Sequence, residues 1–348
     1  MIEPGDAAVE DRGTPTLEEV ARVAGVSRST VSRVINDLPG VSGRARESVN
    51  EAIRLLGYVP NEAARSLVTR RTNSIALVVS EPGDRVFSDP FFAGVLRGIH
   101  SGLAGSHRQL VLMLMAEDGN GNGNGEQLEK YLSSGHVDGA LVVSMHGDDA
   151  LPQRLAEGGL PVVVGGRPLS GTEVPYVDSD NFTGGLLAAR HLVERGKRRI
   201  ATIAGPADMA VGIDRLVGWR RGMSEAKLAT DAVVHSDFSV EGGARAMAEL
   251  LDRHPDVDAV FAAADIVAVG AVRELSARGK RIPDDVAVVG FDDSVLATSV
   301  TPQLTTVRQT VEEFGRTMTW RLLAQLAGEE YLPPSILLPT ELVVRQSS

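Results

Sequence analysis

The chain has 348 residues, 43% hydrophobic and 23% charged, a composition that excludes a largely disordered protein. It is too long for one ordinary core of about 100–150 residues, so two or three domains are expected. The absence of cysteine excludes a disulfide scaffold, a thiolate metal site and a cysteine nucleophile, and the net charge of −11 argues against a surface generally coated with nucleic acid.

The first 13 residues carry Glu3, Asp6, Glu10 and Asp11 without an apolar stretch, so a disordered tail is expected there and a signal peptide is not. The apolar run 110–115 falls far short of the ~18 residues of a membrane span, which makes a cytoplasmic protein the expectation. The charge is unevenly spread. Residues 14–72 hold nine arginines against six carboxylates, a net +3, which leaves −14 for the rest of the chain. A small basic unit joined to a large acidic one is the pattern of a protein that meets a polyanion at one end.

Thr16 and Glu19 form a capping-box pattern ahead of a helix over 17–24, with Val20, Ala21 and Val23 turned inward. Gly25 suits a left-handed turn and Ser27 caps a second helix, 28–36, whose Val31, Val34 and Ile35 share a face that excludes Arg28, Ser29 and Arg33. Ser42 caps a third helix through Leu56, with Val49, Ala52, Ile53 and Leu56 at helical spacing. Spacing alone leaves two readings, a plain three-helix bundle or a helix-turn-helix. Beyond Gly57, Asn61 can cap a short helix, 62–69, before Arg70 and Arg71.

From Ser74 onward short apolar runs alternate with helical patterns. Strands are expected at 75–80, 109–115, 139–144, 161–165, 199–204, 232–236, 259–263 and 286–290. Helices are expected at 91–103, 126–133, 184–195, 240–252, 267–278 and 311–326. This alternation predicts doubly wound parallel sheets, and so many strands predict two similar halves. The glycine–asparagine run 119–125 lacks the Lys-Ser/Thr ending of a phosphate loop and reads as a surface loop. No hydrolase elbow or metalloprotease signature occurs and the seven histidines are scattered, so no enzyme, cofactor or metal is expected.

The stretches TLEEVARVAGVSRSTVSRVIND (16–37), ARESVNEAIRLLGYVPN (45–61) and EAARSLVTRRT (62–72) closely resemble the headpiece and hinge of the lactose-repressor family of bacterial transcription regulators. The resemblance continues in DPFFAGVLRGI (89–99), in 177–206, in DRLVGW (214–219) and in IPDDVAVVGFDDS (282–294). It implies a small all-α headpiece over 14–60, a hinge over 61–73, and an α/β two-lobed periplasmic-binding-protein-like core over 74–346. The first lobe is expected at 74–173 and 308–333 and the second at 174–302 and 334–346, with crossovers near 170–177, 301–308 and 331–336.

By the same resemblance, Arg28, Ser29 and Arg33 occupy base-reading positions, while Ser27, Thr30 and Ser32 suit phosphates. Asn61, Ala64 and Leu67 fall on the hinge helix, and Leu67 matches the leucine that wedges into the operator's minor groove. The implied effector residues are Phe91, Phe92, Asp180, Asn181, Arg215, Phe238, Asp265 and Asp292, with Arg215 and Asp292 the foremost. Core packing for one of the paired phenylalanines, and a lobe-internal salt bridge for Arg215 and Asp292, stay open. Ala264 and Gly166 depart from the lactose repressor's ligand positions, so its ligand preference does not transfer. GGRPL (165–169), AGPADM (204–209) and SDFS (236–239) are most similar to repressors of cellobiose and related plant-cell-wall oligosaccharide use.

The implied protein is a homodimer on pseudo-palindromic double-stranded operator DNA, released by a small-molecule effector of the sugar class held between the lobes. A ligand that strengthens DNA binding, and a sugar-binding transport protein, are the alternatives. The family's tetramerising leucine helix has no counterpart after Arg345, so a dimer rather than a tetramer is expected.

Overall fold

The computed structural model describes residues 15–36, 38–59, 71–115, 124–169, 171 and 173–348. The tail 1–13, the hinge helix with Asn61, Ala64 and Leu67, and most of the glycine–asparagine run lie outside the described residues. The chain divides into two compact units, Met1–Thr72 and Asn73–Ser348.

In the first unit three helices form where their caps predict. α1 (Leu17–Ala24) starts on the capping box, with the Thr16 amide donating to Glu19 Oε2 at 2.7 Å. It ends at Gly25 with φ 65°, a left-handed position where a Cβ is penalised. α2 (Arg28–Ile35) stops one residue short of the expectation, because Asn36 is its C-cap. α3 is Gly43–Leu56, capped by Ser42. Val20, Val31 and Val49 are fully buried together with Ala52 and Tyr58. Val23, expected inside, is instead 42% exposed, since three short helices enclose only a narrow stripe of each.

The second unit contains two six-stranded sheets. One is built from β1 (Ser74–Val79), β2 (Gln109–Leu114), β3 (Gly139–Val143), β4 (Val162–Gly165), β5 (Tyr176–Ser179) and β11 (Ser335–Leu338), in the order β11-β5-β4-β3-β1-β2. The other is built from β6 (Ile200–Ala204), β7 (Val233–His235), β8 (Ala259–Ala262), β9 (Ala287–Asp292), β10 (Thr305–Gln309) and β12 (Thr340–Val343), in the order β12-β10-β9-β8-β6-β7. Pairings are parallel except β10 with β12. Buried clusters cover both faces of each sheet, around Ile75 and Ala76 in the first and Ile203 and Phe291 in the second.

All eight expected strands are present. β5, β10, β11 and β12 were not expected, because they are four or five residues long and, β11 apart, mix polar with apolar side chains. They decide where the chain changes lobes. β5 pairs in the first sheet, so the first crossover lies between Ser179 and Asn181 and not at 170–177. β10 belongs to the second sheet and β11 to the first, which moves the other crossovers to about Thr310 and Pro339.

The elements that frame the site are α4 (Gly83–Ser88), α5 (Pro90–Leu103), α8 (Asn181–Glu194) and α9 (Ala210–Glu225), counting α6 (Gly125–Ser133) and α7 (Leu151–Glu157) between them. α8 and α9 touch backbone to backbone at Gly185 and Gly218. A Cβ on Gly218 would overlap the Phe182 carbonyl oxygen and one on Gly185 the Arg215 carbonyl oxygen. That approach fixes the height of Arg215.

Candidate DNA-reading face and effector cavity

The first unit presents α2 with its polar side outward. Arg28, Ser29 and Arg33 are exposed, whereas Val31 and Val34 are buried. Ser27 Oγ accepts from the Thr30 amide at 3.2 Å and lies 2.9 Å from the Thr30 hydroxyl, so Ser27 and Thr30 fasten the start of the helix. Ser32 is half-buried, with its carbonyl accepting from Asn36 Nδ2 at 2.8 Å. Arg28 pairs with Glu18 at 3.1 Å and Arg33 donates to the Pro39 carbonyl at 3.1 Å. Both are solvent-exposed contacts worth little, so either guanidinium is readily released to a base edge or phosphate.

The cavity of the second unit lies between the two sheets at the carboxyl ends of their strands, where open α/β sheets bind ligands. Phe91, Phe92, Asn181, Arg215, Phe238 and Asp292 all line it. Arg215 is 4% exposed. Its Nε donates to Asn181 Oδ1 at 2.9 Å, its Nη1 donates to the Ala263 carbonyl and approaches Asp292 Oδ1 at 3.6 Å, and its guanidinium stands over the Phe291 ring. Asp292 Oδ1 also accepts from Gln309 Nε2 at 2.6 Å. Among the described residues, Arg215 Nη2 and Asp292 Oδ2 make no hydrogen bond. A fixed donor and a fixed acceptor side by side suit two neighbouring hydroxyls.

Burial governs the electrostatics. It pushes the Asp292 carboxyl well above the usual carboxylate range, and Arg215 only partly offsets this. It also lowers the Arg215 guanidinium from its ordinary value, opposed mainly by Asp292. Asp178, on β5, is pushed up to about 6 by burial although it accepts from the Arg167 amide at 3.0 Å and from Asn181 Nδ2 at 2.9 Å.

Asp180 and Asp265 do not line the cavity. Asp180 caps α8 by accepting from the Thr183 amide at 2.9 Å. Asp265, with no exposed surface, accepts from Thr306 at 2.6 Å and from the Ser294 amide at 2.8 Å, which braces the turn after Asp292. Sequence reasoning missed Asp89, Asp178 and Gln309, all of which line the cavity. The available signals were a carboxylate within the strand YVDS and an Asp-Pro helix start at Asp89.

Several contacts join the lobes across the cleft. Arg167, after β4, holds Asp214 of α9 through two bonds of 2.8 and 3.1 Å. His146, after β3, lies 3.0 Å from Asp208 of the other lobe and 3.1 Å from Glu81 of its own, and the Gly147 amide donates to the Asp208 carbonyl at 2.7 Å.

A three-helix DNA-reading unit on a two-lobed ligand-binding core defines a ligand-responsive transcription regulator, and family comparison agrees. Residues 16–61 match the model of bacterial regulatory proteins of the lacI family, and residues 189–348 match that of the periplasmic binding protein-like domain. The chain belongs to the lacI family of transcriptional regulators. It is 50% identical to the HTH-type transcriptional regulator CelR of Thermobifida fusca over 97% of this chain and 100% of that one. Among solved structures it is similar to a CelR–cellobiose complex (48% identity, TM-score 0.76, 96% of this chain and 100% of that one). It is also similar to the lac repressor dimer bound to operator and the anti-inducer ONPF (26% identity, TM-score 0.83, 96% and 99%). Among the described residues no helix is long and apolar enough to cross a membrane.

Proposed function

We propose that this protein is a cytoplasmic, homodimeric repressor that holds a pseudo-palindromic operator through Arg28, Ser29 and Arg33 of each α2 and releases it on binding cellobiose or a closely related disaccharide. Ser27, Thr30 and Ser32 take phosphates and fix register, and Asn61, Ala64 and Leu67 act in the hinge between the units. The observation that carries the reading is the pair of open positions, Arg215 Nη2 and Asp292 Oδ2, beside the aromatic wall of Phe91, Phe92 and Phe238. Such a wall takes the apolar face of a pyranose while Arg215 and Asp292 take vicinal hydroxyls. Similarity to a CelR–cellobiose complex supports the same ligand class. Asn181 serves by holding Arg215, and Asp180 and Asp265 by holding the backbone around the cavity.

The test is fluorescence anisotropy of an operator duplex, enriched from a random pool, with and without cellobiose. Typical allosteric coupling predicts roughly 5–150-fold weaker DNA binding in its presence. Tighter binding would instead make cellobiose a co-repressor, and no change would exclude it as the effector.

A further inference from the structure

The effector cavity does not end in solvent on every side. Arg85 and Phe238 line both the cavity and a second, adjoining groove, and so form a partition between them. Arg85 comes from α4 in the first lobe and Phe238 from the loop after β7 in the second, with the guanidinium carbon 5.2 Å from the ring centroid.

The two halves of the partition differ in freedom. Phe238 is 5% exposed, has φ 54° and lies against Gly205 so closely that a Cβ there would strike its ring. A left-handed non-glycine residue persists only where its surroundings over-determine it. Arg85 is a long side chain held at its tip, where Nη1 donates to Glu81 Oε1 at 2.5 Å. The same oxygen accepts from the Ser144 hydroxyl at 2.6 Å. Arg85 Nε is buried without a hydrogen-bond partner, so nothing on the protein secures the middle of the guanidinium. Beyond the partition, Asp84, Asp237, Arg245 and Arg273 line the groove with groups that bond hydroxyls.

Building on the disaccharide reading above, we infer that Arg85 is the length gate of the effector site, closing on Phe238 over a disaccharide and opposing any longer oligosaccharide that would have to pass into the outer groove. A third sugar ring has to separate Arg85 from both Phe238 and Glu81, breaking a charge-assisted hydrogen bond and a cation–π contact that a disaccharide leaves intact.

Isothermal titration of the full chain with cellobiose and cellotetraose tests this, read as the ratio of their dissociation constants so that a uniform loss of affinity cancels. The wild type is expected to prefer cellobiose at least about tenfold, and Arg85→Ala to reduce that preference by about tenfold, within the range that one altered pocket contact gives. Glu81→Gln, which loosens the catch but keeps Arg85, is expected to move the ratio the same way by a smaller factor. A wild type that binds the two sugars equally, or an Arg85→Ala ratio equal to the wild-type one, overturns the gate. Failure of the wild type to bind cellobiose at all overturns the disaccharide reading, and the gate with it.

Discussion

The guanidinium of Arg215 stands over the ring of Phe291, 3.5 Å from its centroid, so a core aromatic of the second sheet backs the side chain that lines the ligand site. With Asn181 and the Ala263 carbonyl bonding its edges, the side chain cannot swing. Preorganisation of this kind reduces the ordering a ligand must impose.

Arg215→Lys therefore keeps the charge and loses the fork. An ammonium cannot bond Asn181, Ala263 and a ligand hydroxyl in one plane. Cellobiose binding, measured by calorimetry, is expected to weaken by about 10–100-fold, as loss of a hydrogen bond to a charged group implies. Operator binding without sugar should persist, so the variant represses but does not respond.

Lobe closure is expected to depend on pH through His146. Its hydrogen bond to Glu81, with a further one to Asp208, holds the imidazole above its ordinary value against the opposing effect of burial. In an open cleft Asp208 moves away with its lobe, so its share of the rise is lost while the larger share from Glu81 stays. A group raised further in the closed state than in the open one contributes in full below its open-state value and loses that contribution as pH rises through the closed-state one, both lying above 6.5 here. Cellobiose affinity should thus fall as pH rises above 6.5, above the titration of Asp178 near 6. In His146→Gln the fall should be largely abolished; an equal fall would place the titrating group elsewhere.

Gly218→Ala should destabilise the core unit. The added methyl meets the Phe182 carbonyl oxygen on the neighbouring helix, a backbone atom that cannot turn aside. Overpacking costs typically 1–3 kcal/mol, of which the better helix propensity of alanine returns up to about 1. Calorimetry should show a melting point lower by a few degrees, since about 1 kcal/mol moves a domain of this size by roughly 2–4 °C.

Arg33→Ala should remove base selectivity and leave weak, salt-sensitive DNA binding. Its side chain is exposed on the polar side of α2 and, among the described residues, bonds only the Pro39 carbonyl. A bidentate contact to guanine discriminates by about 1–3 kcal/mol. Competition between an operator and a scrambled duplex measures the difference, and unchanged selectivity would exclude Arg33 as a reader.

The sequence by itself determined the headpiece and the class of core. Caps act over three residues and helical faces over four, so Thr16, Ser27, Ser42, Gly25 and Gly57 specify three helices without reference to the rest of the chain. Strands buried on both faces, such as Ile75–Val79, announce themselves as unbroken apolar runs. Tertiary structure decided which carboxylates face the ligand. Asp178 and Asp180 are two residues apart and would share a side had the strand continued, but α8 begins at Asn181, so Asp178 enters the cavity wall and Asp180 turns to its amides. Asp265 and Asp292 divide in the same way, one bonded to Thr306 and Ser294, the other left with an open oxygen. The cap at Asp180 is local, but which carboxylates reach the cavity is not. Asp265 depends on partners 29 and 41 residues distant in sequence and Asp292 on one 17 residues distant, while the division of Asp178 from Asp180 depends on where β5 stops and the chain crosses between lobes.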